Sequence, residues 1–100
     1  MVGLAGIYQG AEIPFRDGET IRIGRTADND LVFENQQKVS RNHCVISFHK
    51  EQQCFKIIDT SSNGSFTNGS QECLPQNMEV QLKPGTILDF GSEENRFRLE

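Results

Sequence analysis

The chain has 100 residues, 35% of them hydrophobic, with ten basic against fourteen acidic side chains and a net charge of −4. That length makes one domain, residues 1–100, with a core too thin for more than two layers. The negative balance argues against general nucleic-acid or membrane-surface binding, which relies on a basic field, and no apolar run approaches the ~18 residues of a membrane span.

The opening stretch Met1-Val2-Gly3-Leu4-Ala5-Gly6-Ile7 is mildly apolar. It lacks the charged and long apolar regions of a signal peptide and reads as a first strand, or as the cut edge of a longer parent. Arg16-Asp17-Gly18 is a turn joining two early strands. From there a period of two dominates. Ile21 and Ile23 alternate with Thr20 and Arg22. A strand starting at His43 alternates Cys44, Ile46 and Phe48 with Val45, Ser47 and His49. Phe55 and Ile57 then alternate with Cys54 and Lys56, and Met78, Val80 and Leu82 with Glu79, Gln81 and Lys83. Pro84-Gly85 turns the chain into Thr86–Phe90, and Phe97 and Leu99 close it between Arg96, Arg98 and Glu100. Each run puts apolar groups on one face and polar groups on the other, as half-buried antiparallel strands require. No segment carries a helical i, i+3, i+4, i+7 stripe. The expected fold is all-β, a sandwich of two antiparallel or mixed sheets.

The cysteines Cys44, Cys54 and Cys73 are odd in number and include no Cys-x-x-Cys pair, so a zinc site is not expected. They read as small buried thiols of a reducing cytosol, which places the chain in the cytoplasm. Asp28, Asp30 and Asp59 lack calcium-loop spacing, and Asp59 reads as fixing the adjacent loop. No metal and no cofactor is expected.

Three polar clusters stand where strand runs stop: Gly24-Arg25, Ser40-Arg41-Asn42-His43, and Ser61-Ser62-Asn63-Gly64-Ser65 with Asn68-Gly69 behind it. A phosphothreonine carries about −1.5 to −2 charges and three strong acceptor oxygens. Holding it needs converging donors, at least one cationic, and a planar guanidinium can bond two oxygens at once. These clusters supply such donors without the equipment to cleave the ester. His43 reads as a structural histidine, because no nucleophile–base–acid set accompanies it.

The order of these residues resembles the forkhead-associated (FHA) family. Gly24-Arg25 is followed by Asn29-Asp30-Leu31, Ser40-x-x-His43, Asp59-x-Ser61-x-Asn63-Gly64, Asn68-Gly69, the Pro84-Gly85 turn and a strand at Phe97. The likeness runs from about Gly3 to Glu100, and its one departure is conservative, Ser65 standing where threonine is common. It implies a sandwich of about eleven short strands, of the FHA/SMAD-like kind, whose apical loops bind phosphothreonine peptides. Residue by residue, it implies that Arg25 and Ser40 contact the phosphate and that Arg41 adds a second cation or reaches a neighbouring peptide side chain. Ser62 would lie beside the phosphate, and Asn63 would bond the peptide backbone. Gly24, His43 and Gly64 would shape the loops and Asn68 buttress them. Lys38 lies where some members read the third residue after the phosphothreonine, and a lysine there favours an acidic one.

The leading expectation is therefore a non-catalytic module that reads phosphothreonine in a partner protein and so recruits its parent protein to partners phosphorylated by an upstream Ser/Thr kinase. It would be monomeric and would bind no nucleic acid or membrane. The alternative is a phosphate-independent scaffold or self-association domain using a sheet face or edge. A phosphatase would need a reactive cysteine, a metal cluster or an acid–base pair that the sequence does not offer.

Overall fold

In the computed structural model, which describes residues 1–100, the chain forms nine strands in two sheets. In chain order they are β1 (Val2–Ala5), β2 (Thr20–Gly24), β3 (Leu31–Val32), β4 (Cys44–His49), β5 (Cys54–Asp59), β6 (Ser65–Thr67), β7 (Glu79–Leu82), β8 (Ile87–Phe90) and β9 (Arg96–Arg98). One sheet runs β1-β9-β8-β6 and the other β3-β2-β4-β5-β7. All pairings are antiparallel except β2 with β3.

The period-two pattern becomes rows of side chains across the second sheet. Ile21 faces Ile46, which faces Ile57, which faces Val80. One row nearer the β2 C-terminus, Ile23 faces Cys44, which faces Asp59. The first sheet closes over these rows with Leu88, Phe90 and Phe97, all fully buried, while Phe33 enters from the loop after β3. The Phe33 ring stands edge-on to Tyr8, Phe90 and Phe97 at centroid distances of 5.1, 6.0 and 5.9 Å, the arrangement the ring quadrupoles favour. The Tyr8 hydroxyl donates to the Val32 carbonyl at 2.6 Å, so its polar end is satisfied at the edge of the core.

Several expectations are corrected. Nine strands form in place of about eleven. The stretches around Glu12 and Gln76 each contribute only a single bridge, Glu12 to Val2 and Gln76 to Asp59. Pro14 and Pro75, which lack an N–H, stand beside these bridges and limit their ladders. The fourth strand begins at Cys44, one residue after His43. Met78 does not join the inward row; β7 starts after it and it is 59% exposed. Cys44 and Cys54 are buried free thiols, but Cys73 is exposed.

The register also sets the poles of the molecule. Ser65 faces Phe90 at one end of the first sheet, whereas Arg98 faces both Ile87 and Val2 at the other. Both chain ends therefore lie at the pole away from Ser65. Across β8 and β9, Asp89 holds Arg96 through two bonds of 2.8 and 3.0 Å.

Ile46 is fully buried at the centre of its row. Ile46→Val removes one methylene without breaking the pattern and should cost about 0.5–1.5 kcal/mol. Phe97→Ala should cost about 3–5 kcal/mol, close to the whole stability of a small domain. Urea unfolding midpoints for the two variants check this ordering.

Candidate functional site

The loops following β2, β3 and β5 meet at the pole that carries Ser65. Gly24, the last residue of β2, makes the approach possible. A Cβ there would lie 2.1 Å from the Arg41 carbonyl oxygen and 2.6 Å from Asn29 Nδ2, so any side chain would push the β3–β4 loop away. With glycine in place, Asn29 Nδ2 donates to the Arg41 carbonyl at 2.7 Å. The Arg25 N–H donates to the Ser40 carbonyl at 2.9 Å.

The β5–β6 loop is tied to the same place. The Ser62 N–H donates to Ser40 Oγ at 2.9 Å, and Asn63 Nδ2 donates to the Lys38 carbonyl at 3.2 Å. Its base is set by Asp59, the last inward-facing residue of β5. Asp59 Oδ1 accepts from the Ser61 N–H at 2.8 Å and from the Ser61 hydroxyl at 2.6 Å. Ser61 Oγ in turn accepts from the Gly64 N–H at 2.9 Å. Gly64 has φ +87°, which closes the turn in a conformation costly for other residues, and a Cβ there would meet Cys73 Cβ at 2.7 Å.

His43 joins the two loops from inside. The Ser40 N–H donates to Nδ1 at 3.1 Å, so Nδ1 carries no proton. The ring proton is on Nε2, which faces the Gly64 carbonyl at 3.0 Å and Ser65 Oγ at 3.1 Å. The ring is fully buried and packs edge-on to Phe90. Burial holds the imidazole below its ordinary 6.5, although the Asp59 carboxylate and the Gly64 carbonyl both favour the proton. Burial, followed by the Asp59 charge, pushes the Cys44 thiol well up, so it is not a nucleophile.

These ties leave a polar cleft of about 570 Å³ lined by Arg25, Gln37, Ser40, Arg41, Asn42, Thr60, Ser62 and Asn63, with no apolar side chain among them. All five residues that the sequence points to as phosphopeptide contacts are brought together here. Arg25 is anchored on one side, Nη1 donating to the Val39 carbonyl at 3.2 Å, and neither Arg25 nor Arg41 forms an ion pair. Lys38 is exposed beside the cleft rather than in its lining. Asn68 stands at the far end of β6, where its Oδ1 accepts from the Ile87 N–H at 2.9 Å, so it braces β6 on β8. Sequence reasoning missed Gln37 and Thr60, and gave Asn42 no contact of its own although it lies in the Ser40–His43 cluster. The Thr60 hydroxyl is fixed by donation to the Asn42 carbonyl at 2.8 Å.

Residues 21–91 match the family model of the FHA domain. The chain belongs to the FHA family. It is 30% identical to nibrin of Mus musculus over 105 aligned residues, which cover 96% of the chain but only 14% of nibrin. Among solved structures it is similar to the FHA domain of the CT664 protein of Chlamydia trachomatis, with a TM-score of 0.81 at 22% identity over 99% of this chain and 93% of that one. It is also similar to the MEK1 FHA domain in complex with a HOP1 phosphothreonine peptide, with a TM-score of 0.68 at 26% identity over 86% of this chain and 83% of that one. FHA domains are generally interaction modules rather than catalysts. The shared sandwich explains why residues before 21 and after 91, which include β1 and β9, belong to this FHA fold although the family model stops short of them.

The neutral His43 makes stability depend on pH with a definite sign. The unfolded chain takes up a proton near 6.5 that the folded domain resists. The contribution is fully present above that pH and is lost as pH falls through 6.5 towards the lowered folded value. Urea unfolding at about pH 7.5 and about pH 5.5 should show this extra loss, at most about 1.4 kcal/mol per pH unit. The corresponding component should be missing in His43→Gln.

Proposed function

We propose that this FHA domain is a non-catalytic module that binds phosphothreonine peptides and recruits the protein carrying it to partners marked by a Ser/Thr kinase. The observation that carries the reading is the pair of guanidinium groups without a carboxylate partner, Arg25 and Arg41, in a cleft otherwise lined by hydroxyls and amides. The chemistry fits a phosphate monoester. Arg25 presents the free side of a fork held by the Val39 carbonyl, and the hydroxyls of Ser40, Ser62 and Thr60 lie in the same lining. The peptide complex of the similar MEK1 domain supports the same ligand class.

Within that reading, Arg25 and Ser40 bind the phosphate, Arg41 adds charge, Ser62 bonds beside it, and Asn63 takes the peptide backbone. The lining contains no cysteine, histidine or carboxylate, so a bound ester would meet donors and cations but no general base. Ser40 has a second duty, since its Oγ accepts the Ser62 N–H. Loss of its hydroxyl would loosen the loop as well as remove a ligand contact.

Each charge-assisted hydrogen bond contributes roughly 1.5–3 kcal/mol. Arg25→Ala should therefore weaken a phosphothreonine peptide by about ten- to a hundredfold or more, with little change in thermal stability because its only side-chain bond is to Val39. Calorimetric titration with a phosphothreonine peptide library and its unphosphorylated twin is the test. Equal binding of both pools, or undiminished complex formation by the Arg25→Ala/Ser40→Ala double variant, would replace this reading with a phosphate-independent scaffold.

A further inference from the structure

A second cleft, of about 430 Å³, adjoins the first and is lined by Arg25, Thr26, Glu34, Asn35 and Gln37. Arg25 and Gln37 line both, so the two form one continuous trough with Arg25 at the divide. Their chemistry differs. The first holds two cations and no acid, whereas the second adds the carboxylate of Glu34 and has no apolar lining. Glu34 is exposed and forms no ion pair, with Arg25 or with any other cation.

The backbone beneath Glu34 is fixed. Phe33, which is 1% exposed, anchors the segment in the core. Its carbonyl accepts from the Gln36 N–H at 3.2 Å, and Asn35 between them has φ 64°. A turn of that kind needs a positive φ at its third residue, and asparagine tolerates one. The Val39 N–H then donates to the Gln36 carbonyl at 3.0 Å, so a second turn follows directly. Glu34 is thus held at the crest of a braced turn.

The geometry points to Glu34 as a specificity-determining residue: the second cleft takes a basic side chain, lysine or arginine, of the peptide whose phosphothreonine lies across Arg25. This rests on the phosphothreonine reading above. Once Arg25 is neutralised by phosphate, Glu34 is the remaining full charge in the second cleft. An ammonium or guanidinium has donors only, and the side-chain carbonyls of Asn35 and Gln37 and the Thr26 hydroxyl can accept from it alongside the carboxylate. An aliphatic ligand side chain finds nothing apolar to cover there, and an acidic one meets like charge.

The test uses phosphothreonine peptides that are otherwise neutral, with Arg, Glu or Ala placed at each flanking position in turn, read by fluorescence anisotropy. One flanking position should favour Arg over Ala by roughly two- to fivefold, the scale of an exposed ion pair, and disfavour Glu. That difference should disappear in Glu34→Gln, invert in Glu34→Lys, and shrink as salt rises. If no position distinguishes Arg from Ala, or if the preference survives Glu34→Gln, the subsite is wrong while phosphate-dependent binding stands. If phosphorylated and unphosphorylated Ala peptides bind alike, both readings fall.

Discussion

The binding pole depends on one buried, neutral imidazole. His43 accepts from the Ser40 N–H with one nitrogen and faces the Gly64 carbonyl with the other. Those two partners belong to different loops, one ending at β4 and the other opening β6 in the opposite sheet. The ring therefore spans the sandwich at its rim and sets the spacing of Ser40 from the Ser62–Gly64 turn. Only the neutral form can do this, since a protonated Nδ1 has no lone pair for Ser40. The apolar wall of Phe90 and the depth of the site keep the ring in that form.

Against this rigid frame the charges are distributed unevenly. Three of the six arginines are satisfied by carboxylates: Arg22 by Asp30, Arg96 by Asp89 and Arg98 by Glu100. Arg16, Arg25 and Arg41 are not, and of these Arg25 and Arg41 face the cleft. An overall charge of −4 offers no shortage of acids for pairing. Their separation from the neighbouring aspartates follows from loops that bond those carboxylates elsewhere: Asp30 is bonded by the Arg22 N–H, and Asp28 by the Thr26 hydroxyl. Both contacts hold these carboxyls below the usual carboxylate range. Local order thus keeps the cationic lining open for an external anion.

Much of the fold was legible because strands write themselves as alternation. Ile21 and Ile23, Ile46, Ile57 and Phe97 fall inward by period alone, and all are buried. Where pairing is brief, the pattern misleads. Met78 continues the Val80 and Leu82 rhythm, yet the ladder with β5 extends only to Glu79 and leaves Met78 outside it. The five cleft residues were legible for a different reason, namely that charged and turn-forming groups cluster at strand ends. Gln37 and Thr60 carry no such mark. Their side chains line the cleft because of irregular loop paths fixed by bonds such as Thr60 to Asn42, and no periodicity encodes those. Asp59 is the contrary case, since the sequence reads it as fixing the adjacent loop rather than holding a metal, and it does gather Ser61 beneath the turn.

The pairing of β1 with β9 has a practical consequence for handling the protein. Val2 lies beside Arg98 at the pole opposite the cleft, so an anchor at either end would present the trough outward. The two ends are not equivalent attachment points. The Met1 ammonium is partly buried and donates to the Ile13 carbonyl at 2.7 Å, and the Met1 side chain is packed into the core. Glu100 is exposed. Immobilising the domain on a sensor surface through its C-terminal residue leaves both the packing at Met1 and the whole recognition face undisturbed.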